Sequence, residues 1–158
     1  MNDDEKISFI SKVNFANKKT LRTDKDLTNT LGSIEAMKLI QKSNGQAGSH
    51  RYIISHNQSP LNVLEVFNMF LFTGWTKPTV DIVPLFETID DLKISESVMD
   101  KVYKNKLYQN HLKRRNNKQI IMLGFSDGTK DGGYFTANWS ILKAKEGLIR
   151  VSKKHGID

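Results

Sequence analysis

At 158 residues the chain fits one domain and can bury a real core. An apolar share of 38% and a charged share of 26% are ordinary for a globular protein, which excludes low-complexity and fibrous classes. The formal charge of +7 leaves three readings open: an anionic partner such as nucleic acid, a solvated lysine-rich surface, or a piece of a larger protein whose charge need not balance alone.

There is no cysteine, so no disulfide and no Cys-ligated zinc. That fits a reducing compartment, and a cytoplasmic location is expected. The most apolar piece, Val63–Phe72, is interrupted by Glu65 and Asn68 and is too short to span a bilayer. The N-terminus, MNDDEKISF, lacks the basic-then-apolar order of a signal peptide. No membrane association is expected.

Residues 1–25 read as an N-terminal arm and linker, in which Ile7, Phe9, Ile10, Val13 and Phe15 suit a short helix or docking arm and Leu21–Asp26 a linker. From Asp26 to Ser43, Leu27, Leu31, Ile34 and Met37 supply helical spacing, and Asn44-Gly45 stops it. Arg51–Ser55 is a short β-type run. Ser59 then stands where an N-cap belongs, with Pro60 at the first helical position. The following helix carries a broad apolar surface, Val63 to Leu71, and Gly74 ends it.

Thr79–Phe86 is apolar on both faces, as a parallel strand covered by helices should be. Pro84 is expected near its end or at a bulge. Thr88 and Asp91 have capping-box spacing and open a helix to about Tyr103. A shorter helix covers Lys106–Leu112, and the basic run HLKRRNNK connects it to a third strand, Gln119–Phe125. Ser126–Gly133 is a glycine-rich turn. The last helix spans Tyr134–His155, with Ala137, Ile141, Ala144, Leu148 and Val151 as core stripe, Phe135, Trp139 and Leu142 widening it, and Gly156 closing it. The fold class is therefore α/β, about three parallel strands alternating with helices. Periodicity leaves open whether they belong to an incomplete barrel or a small open sheet.

Two strands end in an acid, Glu87 and Asp127, forty positions apart. Ligands in parallel α/β folds sit outside the carboxyl ends of the strands. If these strands are neighbours, both carboxylates reach one divalent ion, with water and substrate oxygens completing the octahedron of a Mg²⁺. The alternative is that both are helix N-terminal acids favoured by the dipole. Lys130 either meets an anionic substrate or forms a surface salt bridge with its neighbours, and Asp131 shares its turn. The turn lacks the P-loop order. His50, His56, His111 and His155 fall at no metal-ligand spacing, and each reads as a surface or hydrogen-bonded histidine.

VPLFETIDDL (Val83–Leu92), MLGFSDGTKDGGY (Met122–Tyr134) and ANWSILKAKEGL (Ala137–Leu148) resemble phosphoenolpyruvate carboxylase, and RYIISHNQSPLNVLEVFNMF upstream resembles the family's preceding strand and helix. The likeness covers roughly Arg51–Asp158. The turn, SDGTKDGG rather than SDSxKDAG, resembles a bacterial branch. The resemblance implies a TIM-type (β/α) barrel of which residues 26–158 form a part, in a large, mostly helical homotetramer. It implies an enzyme that joins bicarbonate to phosphoenolpyruvate, giving oxaloacetate and phosphate by way of carboxyphosphate and the enolate of pyruvate. It implies Glu87 and Asp127 as Mg²⁺ or Mn²⁺ ligands and Lys130 beside the substrate.

The family enzyme is several times longer, with a catalytic histidine upstream and a glycine- and arginine-rich loop that would begin shortly after Asp158. The chain is therefore expected to be an internal fragment, inactive alone. Two other readings stand beside this one. One is a non-catalytic remnant with a binding or assembly role, self-associating through faces that would meet the rest of a barrel. The other is a nucleic-acid-binding protein, because LGFSDG also resembles the short acidic helix-end motif of homing nucleases. Only one copy is present and no aromatic–basic interleaving supports base stacking, so nucleic acid is not an expected partner.

Overall fold

In the computed structural model, which describes residues 1–12 and 25–158, helices alternate with three parallel strands in the order β1 (Arg51–Ile54), β2 (Asp81–Phe86), β3 (Met122–Leu123). Ile82, Val83 and Phe86 of the central strand are buried, as a strand covered on both faces must be. β2 pairs with β1 from Arg51 opposite Asp81 to Ile54 opposite Pro84, then with β3 from Leu85 opposite Met122 to Phe86 opposite Leu123. Pro84 lies in the second half of β2, two residues before its end. It is the last residue paired with β1, and the ladder to β3 begins at the next residue. A residue without an N–H is tolerated at this handover.

Local chemistry sets the helix starts. The Ser59 hydroxyl accepts the Leu61 N–H (3.2 Å), and the Asn62 side chain accepts the Ser59 N–H (3.0 Å). With Pro60 first, this opens α3 (Pro60–Phe72), whose Val63, Leu64, Phe67 and Phe70 are buried. Thr88 and Asp91 form the expected capping box of α4 (Ile89–Lys104), and Asn105 caps the short α5 (Lys106–Arg114). Before them, α1 (Asp3–Ile10) docks on the body. Ser59 donates to Asp3 (2.6 Å), and Lys101 pairs with Asp4 (3.8 Å). Val13, Phe15 and residues 21–24 of the expected linker lie outside the described residues. In α2 (Lys25–Asn44) Ile34 and Met37 reach the core, with Leu27 and Leu31 half-buried.

α6 (Ser126–His155) differs most from expectation. The turn Ser126–Gly132 is itself helical, and Gly133 breaks the helix with φ 78° and ψ 166°. Beyond it, Ala137, Ala144, Leu148 and Val151 are buried. Phe135, Trp139 and Leu142 do not widen that stripe. All three are exposed, Phe135 by 89%. At about 100° per residue, Phe135 and Trp139 each stand some 200° from Ala137, on the opposite side of the helix. α6 packs on α4, where Arg150 grips Glu96 with two hydrogen bonds (3.2 and 2.7 Å) and Asp100 accepts from Lys104, Lys154 and His155. Gly156 closes the helix in the left-handed region.

β3 is shorter than the expected Gln119–Phe125 because Gln119 is occupied otherwise. Its N–H donates to the Asp158 carbonyl (2.8 Å), whose own N–H donates to Asn117 (2.8 Å). Its side-chain amide donates to the Ile82 carbonyl (2.9 Å), taking the place of a ladder bond, and accepts from the Tyr108 hydroxyl (2.8 Å). Among the described residues, no helix is long and apolar enough to cross a membrane.

Candidate functional site

The condition for a shared site is met, since β2 and β3 are neighbours and their carboxyl ends abut. Glu87 follows Phe86 directly, and Asp127 stands four residues beyond Leu123. The Gly124 N–H still donates to the Phe86 carbonyl (2.7 Å). A Cβ on Gly124 would lie 3.0 Å from Glu87 Cα, and one on Gly128 would lie 3.4 Å from the Glu87 carbonyl. Glycine at Gly124 therefore permits a backbone approach that a side chain would oppose.

Glu87 is half-buried, and its carboxylate forms no ion pair or hydrogen bond with any described residue. Asp127 is exposed and accepts from Lys130 Nζ (3.0 Å), one helical turn on. Lys130 is more exposed still, so this pair is worth little to the fold. Among the described residues, no three His, Cys, Asp or Glu side chains cluster as a self-sufficient metal cage. Two carboxylates at adjoining strand ends leave most positions around a hard cation to water or ligand oxygens.

The support beneath Glu87 was only partly readable in advance. Asp91 is buried and does more than cap α4. It accepts from the Thr88 N–H (3.1 Å), the Glu87 N–H (3.3 Å) and the Gln58 amide (3.2 Å), with His56 Nδ1 at 3.5 Å. Burial alone would push its carboxyl up, but the hydrogen bonds from Thr88, Gln58 and Glu87 outweigh it and hold the group below the usual carboxylate range. Gln58 and His56 come from the segment after β1, so all three strand ends meet here. Their distant pairing left no trace in local spacing. Asp131, expected only as part of the Lys130 turn, accepts the Ile89 N–H (3.0 Å) from the neighbouring turn.

The histidines contribute no ligand cluster. His50 contacts the Ala47 carbonyl (3.1 Å) and His155 pairs with Asp100 (2.8 Å). His111 is fully buried, its ring tilted against Phe67 and Tyr108.

A family model described as phosphoenolpyruvate carboxylase matches residues 4–158, well upstream of the Arg51 start of the motif likeness. The phosphoenolpyruvate carboxylase of Nitrosomonas europaea is 41% identical over 137 residues, covering 81% of this chain and 15% of that protein. That of Corynebacterium glutamicum is 41% identical over 99 residues, covering 62% of this chain and 11% of that protein. That of Gloeobacter violaceus is 32% identical over 133 residues, covering 81% and 14%. The chain thus spans 11–15% of the length of these curated relatives. With all but its first three residues inside the family match, the chain belongs to the phosphoenolpyruvate carboxylase family.

Proposed function

We propose that these residues form the metal-binding part of an enzyme that carboxylates phosphoenolpyruvate with bicarbonate, giving oxaloacetate and phosphate. The observation that carries the reading is the adjacency of the Glu87 and Asp127 strand ends within a chain of this family. The sheet is read as part of a TIM-type barrel, whose ligands sit at this face. Assembly as a cytoplasmic homotetramer is part of the same proposal.

Glu87 and Asp127 are the Mg²⁺ or Mn²⁺ ligands. The donor set fits, being two hard carboxylates, of which Glu87 has no partner among the described residues. When bound, the cation supplies positive charge to the phosphate and to the enolate oxygen that develops as the phosphoryl group leaves. Asp127 also holds Lys130 beside the site in this state. Were Asp127 to hold a cation, Lys130 beside it would be placed to bind and orient an anionic substrate. Glu87, half-buried against the close Gly124 backbone, presents its oxygens from a rigid wall.

On this reading the chain alone does not turn over, because the three strands among its described residues cannot close an eight-stranded barrel around the reacting groups. Mn²⁺ titration of the wild type against Asp127→Asn tests the ligands: the variant should lose binding, and equal binding would overturn the assignment. Oxaloacetate formation by the purified chain in a coupled assay would refute its inactivity. A second reading, a non-catalytic module that self-associates, is favoured by the exposed stripe of Phe135, Trp139, Leu142 and Ile149. A discrete dimer by light scattering, together with no Mn²⁺ binding, would support it over the first.

A further inference from the structure

The start of α4 is wired across two turns. Thr88 Oγ1 takes the Asp91 N–H (3.1 Å), and the Asp91 carboxylate takes the N–H groups of Thr88 and Glu87. The first helical N–H, that of Ile89, finds its acceptor elsewhere, in Asp131 Oδ2 at 3.0 Å, 42 positions along the chain. The neighbouring glycine permits the approach: a Cβ on Gly132 would stand 2.9 Å from Ile89 Cγ1. Asp131 lies in the same helical turn as Asp127 and Lys130. That turn is joined to β2 at one end by the Gly124 N–H on Phe86 and is set apart from the rest of α6 by the break at Gly133. Between those two points the Asp131–Ile89 hydrogen bond ties it to the α4 start, two residues from Glu87.

We propose that Asp131 is a positioning residue that clamps the Asp127 turn to the Glu87 turn and so sets the geometry of the carboxylate pair. The proposal rests on the reading of Glu87 and Asp127 as the metal ligands. Asp131 spends its carboxylate on the Ile89 N–H and acts through Asp127. A side chain that merely capped α4 would affect stability and leave metal affinity alone. A clamp affects affinity through geometry, as residues behind metal ligands do.

The test uses Mn²⁺ alone, followed by electron paramagnetic resonance, on the wild type, Asp131→Ala, Asp131→Asn and Asp127→Asn. Asp131→Ala should weaken Mn²⁺ binding by about 10-fold or more. Asp131→Asn keeps a carbonyl acceptor for the Ile89 N–H and should restore binding to near wild type. Unchanged affinity in Asp131→Ala overturns the clamp, and so does a loss in Asp131→Asn as large as in Asp131→Ala, which would make the charge itself the contributor. If the wild type binds no Mn²⁺, or Asp127→Asn binds as tightly as the wild type, the metal-ligand reading fails instead. Amide hydrogen exchange then judges the clamp separately. Exchange at Ile89 and across residues 126–133 should quicken about tenfold in Asp131→Ala, with residues 144–155 unchanged. No quickening refutes it.

Discussion

The two ends of the β2 strand are built on opposite principles. At its amino end every group is engaged. The Arg115 guanidinium pairs with the buried Asp81 carboxylate and reaches the Val80 carbonyl (3.3 Å). The Asp81 N–H donates to His50 (2.7 Å), Gln46 donates to the Thr79 carbonyl (3.2 Å), and the Gln119 amide bonds Ile82. At its carboxyl end the Glu87 carboxylate has no partner among the described residues, and Asp127 and Lys130 lean on each other in solvent. One end spends its polar groups on cohesion, while at the other Asp91 and Asp131 tie the turns together and leave the Glu87, Asp127 and Lys130 side chains available. The contrast matches the division of labour in parallel α/β proteins, where the amino-terminal face carries stability and the carboxyl-terminal face chemistry.

Substitutions should separate the two ends in order of size. Asp81→Ala leaves the Arg115 charge buried without its partner and should cost about 3–5 kcal/mol in chemical denaturation. A pH series should show the next effect. Burial, with the Arg114 charge second, pushes His111 from its ordinary 6.5 down to about 4. The unfolded chain therefore takes up the proton first. Stability is full above pH 6.5, falls as pH drops from 6.5 toward 4, and levels below that. The loss amounts to about 3 kcal/mol at 1.36 kcal/mol per pH unit. His111→Phe should flatten that segment of the profile. Gln119→Leu strands the Tyr108 hydroxyl and the Ile82 carbonyl and should cost about 1–3 kcal/mol by the same denaturation measurement. At the other end, Glu87→Gln should change stability by no more than about 0.5 kcal/mol while removing Mn²⁺ binding. If Glu87→Gln were as destabilising as Asp81→Ala, the contrast would collapse.

What the sequence made legible was local. Ser59-Pro60 and Thr88-x-x-Asp91 announced α3 and α4 because a capping residue and its partner lie within one turn. The adjacency of the Glu87 and Asp127 strand ends was a condition the sequence left open, and the β2–β3 pairing meets it. What stayed hidden depends on distant groups. Nothing near Gln119 signals that its amide will replace a ladder bond to Ile82 or that its N–H will meet Asp158. Asp131 reads only as a neighbour in the Lys130 turn because its acceptor role is fulfilled 42 positions away. The error at Phe135, Trp139 and Leu142 has another cause. Apolar residues on two sides of a helix look like one broad stripe until something is seen to cover only one of them.

That second side also equips the molecule with optical reporters. The chain has two tryptophans. Trp75 packs against the core with its ring 5.6 Å from Phe70, whereas Trp139 stands in solvent with the Lys143 ammonium 4.8 Å over its ring. Their emission should differ in colour and in access to quenchers, with iodide drawn to Trp139 by the lysine. Trp75 then reads whether the body is folded, and Trp139 reads what touches the outer side of α6, without a label attached.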